Sequence, residues 1–238
     1  MRVRGFFMSI YDNYMFLIEK IDKAAQSAGK NAGDIALVGA TKMQSVQKIN
    51  EAITAGLRFI GENKVQELTA KYDLVDKPDG FEYHFIGALQ KNKIKYLFNK
   101  VSLIQSVDST QLAKEMDRMA QKNDAMMPVL LEVNIAGEPS KAGFLKEELD
   151  EAVCEIGSLP RLEVRGLMTI PPMMDEQNRL GYRYFTEMYN LFVDIKGKKY
   201  DNVHMNTLSM GMSDDFEKAI ESGSNMVRIG SALFGQRG

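Results

Sequence analysis

Eight short apolar runs, separated by amphipathic stretches, constrain this chain more than any other feature. They cover 35–41, 57–61, 82–87, 102–107, 128–135, 162–170, 204–210 and 225–230. Runs that are apolar at consecutive positions suit strands covered on both faces, the condition of parallel sheets. The stretches between them carry stripes at helical spacing. Val46, Ile49 and Ile53 form one, closed by Gly56 in a capping position. Val65, Leu68, Tyr72 and Val75 form the next, followed by Leu112, Met116 and Met119. Leu145, Leu149, Val153 and Ile156, then Leu180, Tyr184, Met188, Leu191 and Ile195, and finally Phe216 and Ile220 complete the set. Regular strand–helix alternation predicts an α/β fold. Eight strands predict a single (β/α)8 barrel of the TIM type, a length of 238 residues being ordinary for one. An open doubly wound sheet is the alternative, but it usually needs fewer strands.

One extra helix is expected before the first strand, over roughly 8–29, with Tyr14, Leu17, Ile18, Ile21 and Ala25 as its apolar stripe. Nothing resembling a Pro/Ser-rich linker interrupts the pattern, so 8–238 reads as one domain. Residues 1–7 read as an extension, with Met8 as an alternative start. The apolar stretch after Arg4 is too short for a signal peptide and stops at Asp12. A cytoplasmic protein is the expectation. The net charge of −2 offers neither nucleic acid nor an anionic membrane any attraction. Lys91, Lys93 and Lys95 are a local exception, three lysines at a helix start that read as a solvated face. Cys154, the single cysteine, is expected as a buried, inert thiol. His84 and His204 show no metal-binding spacing, and no metal is expected.

A barrel concentrates function at the carboxyl ends of its strands. Lys42 follows strand 1 directly, Asn63 follows strand 2, Ser213 follows strand 7 and Gly230-Ser231 follow strand 8. An amine at the exit of a buried strand sits against a low-dielectric wall, which disfavours its charged form and makes it a candidate imine-forming nucleophile. The plain alternative is a lysine that snorkels into water. Small and hydroxyl residues where strands 7 and 8 open into helices present free N–H groups suited to phosphate. Ser213 also suits a simple N-cap, and Asp214 and Asp215 would repel an anion if they faced it. A lysine and a phosphate cradle together imply a phosphorylated aldehyde. Pyridoxal 5′-phosphate (PLP) and a sugar phosphate in a lysine aldolase both satisfy that description.

Six ordered motifs carry a resemblance: Val38-Gly-Ala-Thr-Lys42, Phe59-Ile-Gly-Glu-Asn63, His84-Phe-Ile-Gly-Ala-Leu-Gln-Lys-Asn-Lys93, Gly166-Leu-Met-Thr169, Leu208-Ser-Met-Gly-Met-Ser-Asp-Asp215 and Val227-Arg-Ile-Gly-Ser-Ala-Leu-Phe-Gly235. Over nearly the whole chain from Met8, the sequence resembles the pyridoxal phosphate homeostasis protein family, the single-domain relative of the alanine racemase N-terminal barrel. The resemblance implies a fold-type III barrel with PLP held as a Schiff base on Lys42. It further implies phosphate on Ser213 and the Gly230-Ser231 backbone, and Arg228 facing the pyridine nitrogen. Asn63, His84, Met168, Ser209 and Met212 would line the pocket. Ala88 stands where many relatives carry a larger or polar residue, and Ser231 replaces a common threonine but keeps the hydroxyl.

Read from the residues alone, His84 is equally a core histidine, Met168 a core filler and Asn63 a turn or cap residue. A buried Arg228 needs a partner, for which a carboxylate is the plain choice. The implied function is intracellular PLP homeostasis, as a carrier or regulator with apo PLP-dependent enzymes as transient acceptors. The alternative is a PLP-dependent amino acid racemase or lyase. Two expectations favour the carrier. The chain ends eight residues after Gly230, leaving no second domain for an opposing acid/base group. A cation on the pyridine nitrogen also weakens the ring as an electron sink. A monomer is expected over a dimer.

Overall fold

The structure is a computed structural model that describes residues 9–172 and 180–235. The expected extension 1–7, Met8, the Leu180 side chain and the end at Gly238 lie outside the described residues. Helix α1 (Ile10–Ser27) comes first, opened by a capping box between Ser9 and Asp12. The alternation then runs β1 (Ala36–Ala40), α2 (Val46–Ala55), β2 (Phe59–Glu62), α3 (Val65–Lys71), β3 (Glu82–Phe85), β4 (Leu103–Val107), α4 (Thr110–Lys122) and β5 (Met127–Glu132). It continues with α5 (Leu149–Gly157), β6 (Leu162–Met168), α6 (Leu180–Lys196), β7 (Val203–Ser209), α7 (Phe216–Glu221), β8 (Met226–Ile229) and α8 (Ser231–Phe234). The eight strands are parallel and close into a barrel in sequence order. Each expected run therefore contributes one strand, with ends displaced by no more than three residues. No helix among the described residues is long and apolar enough to cross a membrane.

The strands are buried on both sides by different partners, except for the start of β7, where His204 and Asn206 are exposed. Leu37, Ile60, Phe85, Leu131, Leu167 and Val227 pack outward in the large core beneath the helices. Val38, Leu103, Leu130, Met168 and Met226 form a separate cluster inside the barrel. Side chains alternate along a strand, so the inner set continues toward the carboxyl ends as Ala40 and Lys42, Gly61 and Asn63, His84, Gln105, Glu132 and Arg228. Strand β6 breaks this parity. Leu162, Val164 and Leu167 all face the outer core, and the register with β5 and β7 shifts around Gly166. The bulge turns Met168 to the inside.

Gly166 has φ 150°, and a Cβ there would lie 1.8 Å from the Thr207 carbonyl oxygen. Backbone cannot move aside as a flexible side chain can. Gly166→Ala is therefore expected to destabilise the fold by about 3 kcal/mol, read as a lowered denaturant midpoint.

Three expectations need correction. Helix α5 starts at Leu149, so Leu145 lies before it and is exposed. Cys154 is exposed rather than buried. The α5 face that packs inward carries Leu149, Ala152, Val153 and Ile156, and position 154 falls about 100° round the helix from 153. Lys91, Lys93 and Lys95 lie on a 3₁₀ turn (Lys91–Tyr96) rather than a helix start. They remain a solvated face, with Lys93 and Lys95 lying over the Tyr96 ring.

Candidate functional site

At the open end of the barrel, Lys42 leaves β1 on a tight turn closed by the Gln44 N–H donating to the Thr41 carbonyl at 3.0 Å. Lys42 is half-buried, whereas Met43 beside it is exposed and holds a left-handed φ of 60°. Both flanks of the lysine are anchored from α3. Thr41 donates its hydroxyl to Glu62 at 2.9 Å, and its carbonyl accepts from Lys71 Nζ at 3.0 Å. The Met43 N–H donates to Glu67 Oε2 at 2.8 Å. Lys71 Nζ also pairs with Glu62 at 2.6 Å and Glu67 at 3.1 Å. The carboxylates beneath the turn are thus taken up by Lys71, and the Lys42 amine is left for the barrel mouth.

Lys42 lines a cavity of about 190 Å³ with Ala40, Gln44, Met212, Arg228 and the loops at Ser213-Asp214 and Gly230-Ser231. Six of the ten expected site residues meet here: Lys42, Met212, Ser213, Arg228, Gly230 and Ser231. Ala40, Gln44, Asp214 and Gly235 also line it; all but Gln44 lie within the quoted motifs, though none is among the expected site residues.

Ser213 joins the two phosphate-type loops. Its hydroxyl oxygen accepts the Ala232 N–H at 3.2 Å, which leaves its own proton to donate. Among the described residues, the backbone N–H groups of Ser213, Gly230 and Ser231 have no acceptor. Asp215 is turned aside by accepting the Met212 N–H at 2.5 Å, so of the two acids only Asp214 lines the cavity.

Arg228 is 5% exposed, and its acceptors are neutral rather than the carboxylate expected. It donates to Ser209 Oγ at 2.6 Å and to the Thr169 carbonyl at 2.9 Å. Burial pushes its pKa down to about 10, with the Glu132 and Asp215 charges pulling the other way. The guanidinium therefore stays charged at neutral pH. Burial likewise raises the Glu132 carboxyl above its usual range, helped by Asp108 and opposed by Arg228.

The other four expected residues lie deeper or aside. Ser209 is fully buried and reaches the cavity through Arg228. Met168 packs in the interior cluster with Val38, Leu103, Leu130 and Met226. His84 is buried between Glu82 and Gln105 and does not line the cavity. Asn63 does not line it either, but its carboxamide oxygen is buried without a partner among the described residues. The chain is fitted closely there: a Cβ on Gly87 would lie 2.2 Å from the Asn63 carbonyl.

The site thus combines one amine, an arginine cation and a set of open N–H groups with a serine proton. An amine can capture an aldehyde. Open N–H groups at the start of a helix suit phosphate.

Comparison with known proteins identifies the family. The family model for the alanine racemase N-terminal domain matches residues 18–238. The chain is 43% identical over 221 residues to the pyridoxal phosphate homeostasis protein of Aquifex aeolicus, covering 93% of this chain and 95% of that one. It is 38% identical over 221 residues to the protein of the same name from Escherichia coli K12, covering 92% and 93%. The solved structure of PipY from Synechococcus elongatus, with PLP bound, superposes with a TM-score of 0.77 at 29% identity, covering 90% of this chain and all of that one.

Proposed function

The chain belongs to the pyridoxal phosphate homeostasis protein family, within the alanine racemase N-terminal domain family, and from that membership we propose that it binds PLP in the mouth cavity and serves PLP homeostasis. Residues 8–238 act as one cofactor-binding domain in this reading. The observation that carries it is the placement of the Lys42 amine and the open N–H groups of Ser213, Gly230 and Ser231 around one small cavity. When bound, PLP supplies an aldehyde that an amine captures reversibly and a phosphate that anchors it. Lys42 provides the amine. The strand 7 and strand 8 loops provide the phosphate donors. Arg228, which can only donate, faces the ring nitrogen as a fixed cation, with Met212 beside it. Asn63 offers its unpartnered oxygen to a hydroxyl, and Ser209 holds Arg228. His84 and Met168 act from behind these residues, through Gln105 and through interior packing respectively.

A carrier role follows from how little acid/base machinery stands beside Lys42. The cavity lining contains no histidine, cysteine or tyrosine among the described residues, and racemisation requires groups on two faces. The reading extends to a cytoplasmic location and to apo PLP-dependent enzymes as acceptors. Purified protein is expected to be yellow, to bleach with borohydride and to yield a pyridoxyl group on the peptide containing Lys42. It should also pass PLP to an apo-enzyme. Efficient turnover of any common L- or D-amino acid would instead make it a racemase or lyase.

Three variants test the phosphate side. Ser213→Ala removes one donor of several, so PLP binding should weaken by about 1 kcal/mol. A Cβ on Gly230 meets only Ala40, at an ordinary 3.5 Å. Gly230→Ala should therefore melt like the parent, while a bulky residue there should obstruct the phosphate and cost more than Ser213→Ala. Parent-like affinity in both Ser213→Ala and the bulky Gly230 variant, measured by titration with PLP, would move the phosphate elsewhere.

A further inference from the structure

A line of buried polar side chains crosses the barrel interior from the foot of β3 to the mouth at β8. Glu82 Oε2 lies 3.2 Å from His84 Nε2, and His84 Nδ1 lies 2.9 Å from Gln105 Nε2. Gln105 Oε1 lies 2.7 Å from Ser209 Oγ, and Ser209 Oγ lies 2.6 Å from Arg228 Nη1. His84, Gln105, Ser209 and Arg228 are all buried. The chemistry of the two ends fixes the direction of every bond between them. A guanidinium only donates, so Ser209 accepts from Arg228 and has its single proton left for Gln105 Oε1. With its oxygen so engaged, Gln105 turns its NH₂ to His84, with a weaker contact to Met226 Sδ at 3.2 Å. His84 Nδ1 must then be bare, and the ring proton sits on Nε2, facing the Glu82 carboxylate. Ser102 donates to that carboxylate as well, at 2.9 Å. The His84 hydrogen bond holds the Glu82 carboxyl below its usual range, with Ser102 adding to the effect. Reversing Gln105 would leave the buried Ser209 proton without its acceptor, and would set either a bare Nε2 against the Glu82 carboxylate or a second proton on a buried ring, which costs more than one ordinary hydrogen bond.

We infer that Gln105 and His84 are positioning residues: their one-way hydrogen-bond line sets the Ser209 hydroxyl, and through it the orientation in which Arg228 meets the ligand. The affinity part of this inference rests on PLP being that ligand; the ring tautomer and the arginine signals do not.

The first test needs no variant and no cofactor. Nitrogen-15 NMR of the protein free of PLP should show His84 with a protonated Nε2 and an unprotonated Nδ1. An Nδ1–H tautomer, or a doubly protonated ring at neutral pH, would overturn the inference. The second test follows the Arg228 guanidinium. In the parent its N–H signals should be resolved, because two acceptors stop rotation. In Gln105→Leu they should average, and PLP affinity should fall about tenfold, while far-ultraviolet circular dichroism stays that of the parent. In Gln105→Glu, a carboxylate can still accept from Ser209 while His84 takes a second proton to donate to it, so Arg228 should stay ordered and most of the affinity return. Unchanged Arg228 signals in Gln105→Leu, or loss in Gln105→Glu equal to that in Gln105→Leu, would count against the line. Failure of the parent to bind PLP at all would refute the function proposed above and leave both NMR results standing.

Discussion

Lys42→Ala is expected to retain weak binding of PLP while forming no borohydride-stable bond anywhere on the chain. Of the described residues that line the mouth cavity, Lys42 alone carries an amine. The nearby Lys71 is committed to Glu62, Glu67 and the Thr41 carbonyl, and Arg228 is held by Ser209 and Thr169. The fold should barely register the change. Lys42 sits at the tip of a turn, half-buried, and truncating such a side chain typically shifts stability by no more than about 0.5 kcal/mol. The phosphate donors at Ser213, Gly230 and Ser231 are untouched, so non-covalent affinity survives. Intact-mass spectrometry after reduction should show the full adduct in the parent and none in the variant. Equal melting temperatures would certify that the loss is chemical. An adduct persisting on the exposed Lys64 or Lys91 would displace Lys42 from the centre of the site.

The barrel and the rim of the site were legible in the sequence for one physical reason. Strands covered on both faces need consecutive apolar residues, so the polar residue that ends such a run marks the barrel mouth. Lys42, Ser213 and Gly230-Ser231 announce themselves this way. Residues that act inside the barrel are harder to see. Gln105 sits within Leu103-Ile104-Gln105-Ser106-Val107, and only the parity shared with Leu103 shows that it points inward. The depth of Met168 depends on the bulge at Gly166, which single-strand alternation does not reveal. Cys154 was legible and misread: the spacing of Val153 and Ile156 already turns position 154 toward solvent. Glu62, Glu67 and Lys71 come from a strand end and the helix after it, and sequence alone does not show that they meet one another. Their role emerges only when α3 folds back over the Lys42 turn.

That cluster gives the largest stability effect expected of a single substitution here. Glu62 is fully buried, and burial pushes its carboxyl above the usual range while Lys71, and then Thr41, pull it back. Lys71→Met keeps most of the apolar stem and removes the charge, leaving Glu62 with only the Thr41 hydroxyl. Breaking a buried pair by removing one partner costs about 3–5 kcal/mol, or a fall in melting temperature of roughly 10 °C for a chain of this size. The cost should depend on pH in a defined direction. Without Lys71 the folded-state pKa of Glu62 rises further above its unfolded value. A carboxyl raised on folding stabilises fully below the unfolded pKa and loses that contribution as pH rises through the folded one. The variant should therefore approach the parent in mild acid and diverge from it toward neutral and alkaline pH. Glu62→Gln in the Lys71→Met background removes the stranded charge, so the double variant should recover much of the lost stability and flatten the pH dependence. Met43, held at positive φ by Glu67, should stay anchored only partly once Glu67 loses Lys71. The Lys42 turn then loosens, and the borohydride-stable adduct should form more slowly in Lys71→Met even where the protein is fully folded. Denaturant titrations of the three proteins at acid and alkaline pH separate these effects. A pH-independent loss in Lys71→Met, or no recovery in the double variant, would mean that Lys71 acts through packing rather than by neutralising Glu62.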